Sequence, residues 1–200
     1  MLVVGGDDAG ATAGDAGDAH AGSDEPPLSL DIDVVHDGGD WEMVAGAEAL
    51  VRAAAAALAG ELGLGRTEVC VALSDDAQVA ELNGSYRGKP APTNVLSFPA
   101  GPSVPVGDDD PHFLGDVVLA LETLQREAAE LGLPLEHHMQ HLVVHGLLHL
   151  LGYDHGTDQE AQAMESLEVR ILQRLGIADP YAAAGEPVTL PEQASQRTKS

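Results

Sequence analysis

The sequence is short of most features that tie a chain to a disulfide framework, a membrane or a polyanion. It has one cysteine in 200 residues, Cys70, so it forms no internal disulfide. No apolar run is long enough to cross a bilayer, and the N-terminus lacks the basic start and apolar stretch of a secretory signal. The expected compartment is therefore the cytoplasm, with no membrane partner. Aromatic side chains make up 3% of the chain. Cations are scarcer still relative to their counterparts, nine Lys and Arg against 33 Asp and Glu, for a net charge of -24. Lysine occurs only at Lys89 and Lys199. Such a surface repels polyanions at long range, so composition alone argues against nucleic-acid binding unless a local positive patch or a partner supplies the affinity. The length suits one domain with room for a core.

Much of the acid lies in a first segment rich in Gly, Ala and Asp, residues 1–26, which lacks periodicity and reads as a disordered tail. Residues 28–35 alternate apolar and polar side chains, as a half-buried strand does. Residues 41–62 read as an alanine-rich helix capped by Asp40, and 68–73 as a second strand. Ser74, Asp75 and Asp76 cap a short helix running to Asn83. Tyr86-Arg87-Gly88-Lys89 follows as a proline-stiffened loop with two of the few cations side by side. Residues 94–99 read as a third strand, 100–112 as a mobile loop, and 114–119 as a fourth strand interrupted at Gly115-Asp116. Helices are predicted over 121–131, 135–151 and from Asp158, as its cap, to about 175. A polar tail begins near residue 182. This order predicts an α+β fold, a small mixed sheet of about four strands packed with helices, in which the early strands pair in parallel and the last two antiparallel.

The stretch from His145 to His155 reads H-x-x-x-H-x-x-G-x-x-H. His145 and His149 stand four apart, hence on one helix face, one turn above the other. Gly152 suits a helix stop, because glycine readily takes the left-handed conformation that a helix end needs. The chain then turns back and His155 can reach the same point. Three imidazoles on one ion leave a fourth position open, which is the layout of a catalytic zinc site. Zinc proteases with this spacing carry a glutamate after the first histidine as general base. Here that residue is Gly146, so the pattern points to a metal hydrolase other than a conventional peptidase.

Neighbouring residues divide between chemistry and packing. Asp154 either orients an imidazole or serves the turn. Tyr153 reads as packing, His137 and His138 as solvent-facing. His141 continues the i, i+4 ladder and reads as a partly exposed helix histidine, with a supporting role at the site as the alternative. Ser97 either touches substrate or holds structure. Cys70 reads as a buried core thiol.

Tyr86-Arg87-Gly88-Lys89, then Pro92-Thr93-Asn94-Val95-Leu96-Ser97-Phe98-Pro99, then Leu114-Gly115-Asp116, then the histidine motif through Asp154-His155 occur in that order. Together they closely resemble the bacterial YbeY family of zinc-dependent endoribonucleases, over roughly residues 28–181. The resemblance implies one Zn2+ per chain on His145, His149 and His155, at the floor of a cleft in an α+β sandwich. It places the family's functionally important arginine on Arg87, whose planar fork suits phosphate. It implies cleavage of single-stranded rRNA, in 16S 3′-end maturation and 70S ribosome quality control, with ribosomal or small-subunit assembly proteins as partners. Two other classes stay open: a zinc hydrolase acting on peptides or amides, and a non-catalytic ribosome-assembly factor with structural zinc.

Overall fold

A computed structural model describes residues 30–101 and 112–182. The expected acidic tail (1–26), nearly all of the expected loop (100–112) and the C-terminal tail beyond 182 lie outside the described residues. Four strands form one sheet: β1 (Leu30–His36), β2 (Thr67–Ser74), β3 (Val95–Pro99) and β4 (His112–Ala120). Their order is β1-β2-β4-β3. β1 runs parallel to β2 and β3 antiparallel to β4, as the spacing of the elements predicts, and β4 also runs parallel to β2, a pairing the spacing does not give.

Five α-helices accompany the sheet: α1 (Ala47–Leu62), α2 (Asp76–Arg87), α3 (Leu121–Leu131), α4 (Leu135–Leu150) and α5 (Asp158–Arg174). The strand period of two sorts side chains between the sheet faces. Ile32, Val69, Val71, Leu73, Val117 and Leu119 join α1, α4 and α5 in the main core. Leu96, Val118 and Ala120 face the other way, into a smaller cluster with Val79 of α2. The sheet thus has helices on both faces.

Five local expectations are corrected. Helix α1 begins at Ala47, not Trp41, and Asp40 makes no side-chain cap. Trp41 instead opens a short 3-10 turn and is buried, its indole Nε1 donating 3.0 Å to the Ser74 carbonyl. Burial of the largest side chain takes precedence over helix propensity there. Helix α2 continues past Asn83 to Arg87, so Tyr86 and Arg87 lie on its last turn rather than in a loop. Strand β4 starts at His112, earlier than expected, and the interruption expected at Gly115-Asp116 is a register shift within the strand, Phe113 pairing with Glu68 but Asp116 with Cys70, with Gly115 at φ +132°. Thr157, not Asp158, caps α5, in a reciprocal capping box with Glu160. Cys70 is half-buried, because Val69 and Val71 take the core side of β2 and strand alternation turns Cys70 outward. Burial, with Asp116 and Asp33 alongside, raises its pKa, so the thiol stays protonated and a poor nucleophile.

Candidate metal centre

Helix α4 crosses the sheet with its apolar face buried and packs on β3 and β4. Gly146 makes this approach possible: a Cβ there would lie 2.8 Å from Val117 Cγ1 and 3.2 Å from both Ser97 Oγ and Val95 Cγ2. Ser97 uses the proximity, its hydroxyl donating 2.9 Å to the Gly146 carbonyl. Its visible role is therefore to tie β3 to α4. The position that holds the base in zinc peptidases faces the sheet and has no room for a glutamate.

His145 and His149 occupy the half-buried side of α4 next to Gly146, facing the same cleft as Val95 and Ser97. Gly152 ends the helix at φ +87°, a backbone state closed to most side chains. The Gly152 and Tyr153 amides cap the His149 and Leu148 carbonyls. The turn that follows carries exposed His155, whose amide donates 2.8 Å to Asp154 Oδ1. One ligand nitrogen or more of each of the three histidines falls within 4.8 Å of the others.

The donor set passes a chemical test for a cation. His145 Nδ1 sits 2.8 Å from Glu168 Oε1, and His149 Nδ1 sits 3.0 Å from the Tyr153 carbonyl. Neither an ionised carboxylate nor a carbonyl can donate, so both imidazoles carry their proton on Nδ1. Their Nε2 lone pairs then face each other at 3.1 Å. Two facing lone pairs repel unless an electrophile lies between them. Burial, then the neighbouring His145 and His155, lowers the pKa of His149 and keeps it neutral, the state in which imidazole binds metal.

Above this floor lies an open cleft of about 540 Å³, lined among others by Arg87, Asn94, Ser97, Asp154 and the three histidines. Arg87 is exposed at the end of α2. The turn after it is held by Gly88 and Lys89 amides on the Gly84 and Asn83 carbonyls, and by Asn83 Nδ2 donating 2.7 Å to the Ala91 carbonyl. No carboxylate among the described residues forms an ion pair with Arg87, whereas Arg126, Arg170 and Arg174 each have one. Asn94 is fixed at the mouth of β3, donating 2.9 Å to Glu127 Oε2.

Known proteins resemble this chain. A model of the family described as endoribonuclease YbeY matches residues 40–176. The chain belongs to the endoribonuclease YbeY family. An endoribonuclease YbeY of Nitrobacter hamburgensis is 46% identical over 173 residues, 84% of this chain and 91% of its own length. One from Rhodopseudomonas palustris is 53% identical over 145 residues, 71% of this chain and 84% of its own. A solution structure of a Thermotoga maritima protein aligns with 72% of this chain and 91% of its own, at 23% identity and TM-score 0.47.

In this YbeY member the structure unites the three histidines and brings Arg87 and Asp154 to the same cleft. Asp154 makes its visible hydrogen bond to the turn, and the bonds that orient imidazoles come from elsewhere. Sequence reasoning missed Glu168. Its signal was present: Met164, Leu167, Ile171 and Leu172 form the buried stripe of α5, and a charged residue stands within that stripe. Burial opposes ionisation of Glu168, but hydrogen bonds from His141, His145 and Tyr181 outweigh it and hold the pKa down at about 2. His141 accordingly is no simple surface histidine; its Nε2 lies 3.2 Å from Glu168 Oε2. His138 is buried rather than solvent-facing, its Nε2 3.0 Å from Glu127 Oε2, while His137 is half-buried. Tyr153 packs on the core as expected and adds its carbonyl to His149.

Proposed function

We propose that this chain cleaves single-stranded RNA at a zinc ion held by His145, His149 and His155, one ion per chain. The facing Nε2 atoms of His145 and His149, with both Nδ1 atoms committed to oxygen acceptors, carry this reading. When bound, the ion supplies Lewis-acid stabilisation of the charge that develops on a phosphodiester. Arg87 binds the phosphate through its guanidinium fork. Asp154 keeps the turn that presents His155, with its second carboxylate oxygen available to a water in the cleft. Lys89 adds charge at the rim.

Tyr86 supports a single-stranded substrate. It is 71% exposed, lies with its ring tilted against Phe98 at 5.0 Å between centroids, and adjoins Arg87 in sequence. Phe98 packs on the α2 side of the sheet, so the pair sits beside the cleft and not in its lining. Exposed aromatics beside cations are how proteins hold splayed bases. The proposed catalytic unit is residues 27–181. The proposed setting is the cytoplasm, with 16S rRNA 3′-end maturation and 70S quality control as the task and ribosomal or small-subunit assembly proteins as partners. Those partners supply the affinity that a chain of net charge -24 lacks.

The test is cleavage of a labelled single-stranded RNA carrying the 3′ end of small-subunit rRNA, by this protein and by His149→Ala prepared identically. Cleavage by the first and a loss of roughly a thousandfold or more in the second is expected, since a metal contributes several kcal/mol to such steps. Equal cleavage by both overturns the assignment. Zinc bound with no cleavage, on free RNA or on ribosomes, supports the structural-zinc assembly factor instead.

A further inference from the structure

Glu168 stands out among the charged groups of the chain. It is buried on α5 with its side chain fully covered, and it receives three donors from three places. His145 Nδ1 on α4 lies 2.8 Å from Oε1. His141 Nε2, one turn earlier on α4, lies 3.2 Å from Oε2. The Tyr181 hydroxyl, in the segment after α5, donates to the same Oε2. Tyr181 is itself locked: its ring meets His141 edge-on at 5.8 Å, and its amide donates 2.8 Å to Asp179 Oδ1.

An apolar side chain would satisfy the core at this position better than an anion, because burying a carboxylate costs several kcal/mol before its hydrogen bonds are counted. The carboxylate is instead aimed at the one nitrogen that decides which face of His145 bears a lone pair. A neutral imidazole without a partner populates both tautomers, and the wrong one points an N–H at the metal position.

We propose that Glu168, held in place by Tyr181 and His141, is a positioning residue that fixes His145 in its Nδ1–H form and turns the Nε2 lone pair toward the metal. This rests on the metal-binding reading above, though its first readout does not need the metal. Three variants separate it from a packing role. In Glu168→Leu the acceptor is gone while an apolar side chain fills the core. In Glu168→Gln the side-chain carbonyl can still accept from His145. Tyr181→Phe removes one anchor of the carboxylate and leaves the core intact.

The experiment has two arms. The ring nitrogens of His145 are read by long-range proton–nitrogen NMR in the metal-free protein, and zinc affinity is read by competition with a chromophoric chelator. Glu168→Leu is expected to show mixed His145 tautomers and about 10- to 100-fold weaker zinc binding. Glu168→Gln is expected to restore the Nδ1–H form and most of the affinity, and Tyr181→Phe to lose affinity by about threefold to tenfold, less than the full loss. Unchanged tautomer and affinity in Glu168→Leu overturn the proposal. So does an affinity loss in Glu168→Leu that only tracks its folded fraction by circular dichroism. Should Glu168→Leu not fold, Tyr181→Phe decides, since wild-type affinity there overturns the proposal. If the unaltered protein binds no zinc, the metal reading fails, and the tautomer arm still tests Glu168.

Discussion

The floor and the rim of the cleft are built in opposite ways. On the floor, His145 and His149 are half-buried, and each spends its second nitrogen on a fixed oxygen of the protein. Helix α4 beneath them is clamped to the sheet through Gly146 and Ser97. On the rim, Arg87 and Asp154 are exposed, and Arg87 has no ion-pair partner among the described residues. Under the proposed function, the difference separates two tasks. Holding an ion needs lone pairs pre-set to within a fraction of an ångström, which demands a packed surround. Gripping a phosphate needs a cation that is free to be claimed by the substrate, which a protein this acidic must keep away from its own carboxylates.

If that division is right, the rim can be broken without touching the floor. Arg87→Ala should lower kcat/KM for a single-stranded RNA by roughly 100- to 1,000-fold, the usual cost of losing a charge-stabilising donor. Its zinc content and melting temperature should stay at the wild-type values. Loss of zinc in that variant would show that rim and floor are one unit.

The reverse experiment strikes the floor alone. Gly146→Ala forces a methyl against Val117 and should destabilise the fold by about 1–3 kcal/mol. For a chain of this size that is a drop in melting temperature of roughly 2–4 °C per kcal/mol. Cleavage per zinc-loaded molecule should change little, measured on protein saturated with metal. An unchanged melting curve would mean that α4 is less tightly seated than its contacts require.

The smallest effect is expected outermost. Tyr86→Ala should raise KM by roughly tenfold for single-stranded RNA, at the low end of what stacking on one base contributes. Tyr86→Phe should behave as wild type, because the ring and not the hydroxyl would do the stacking. A fall in kcat with KM unchanged would remove Tyr86 from the binding surface.

The cluster of three histidines was legible in the chain because helix geometry is local. A separation of four residues and a helix-stopping glycine are enough to predict that His145, His149 and His155 converge. The four strands, the parallel pairing of β1 with β2 and the antiparallel pairing of β3 with β4 followed from period-two patterns and from the spacing of the elements, whereas the place of β4 beside β2 did not. Element ends were less legible. Trp41 was read into a helix because the run 41–62 as a whole is alanine-rich, yet its indole reaches across to Ser74 and holds the backbone in another form. Arg87 was read as a loop residue, though the helix persists one turn beyond Asn83 before its cap closes.

Sequence alone therefore determined the convergence of three histidines, the four strands, and the absence of a peptidase base at Gly146. Only the tertiary structure decided why that base is absent, since the space beside Gly146 is set by β3 and β4, whose residues are remote in the chain. It also decided the partners of the imidazoles. Glu168 lies 23 residues from His145 and Tyr181 lies 40 from His141, and no local rule couples such separations. Hydrogen bonds that orient a site are made across the packing of whole helices, and they become visible only once α4 and α5 are side by side.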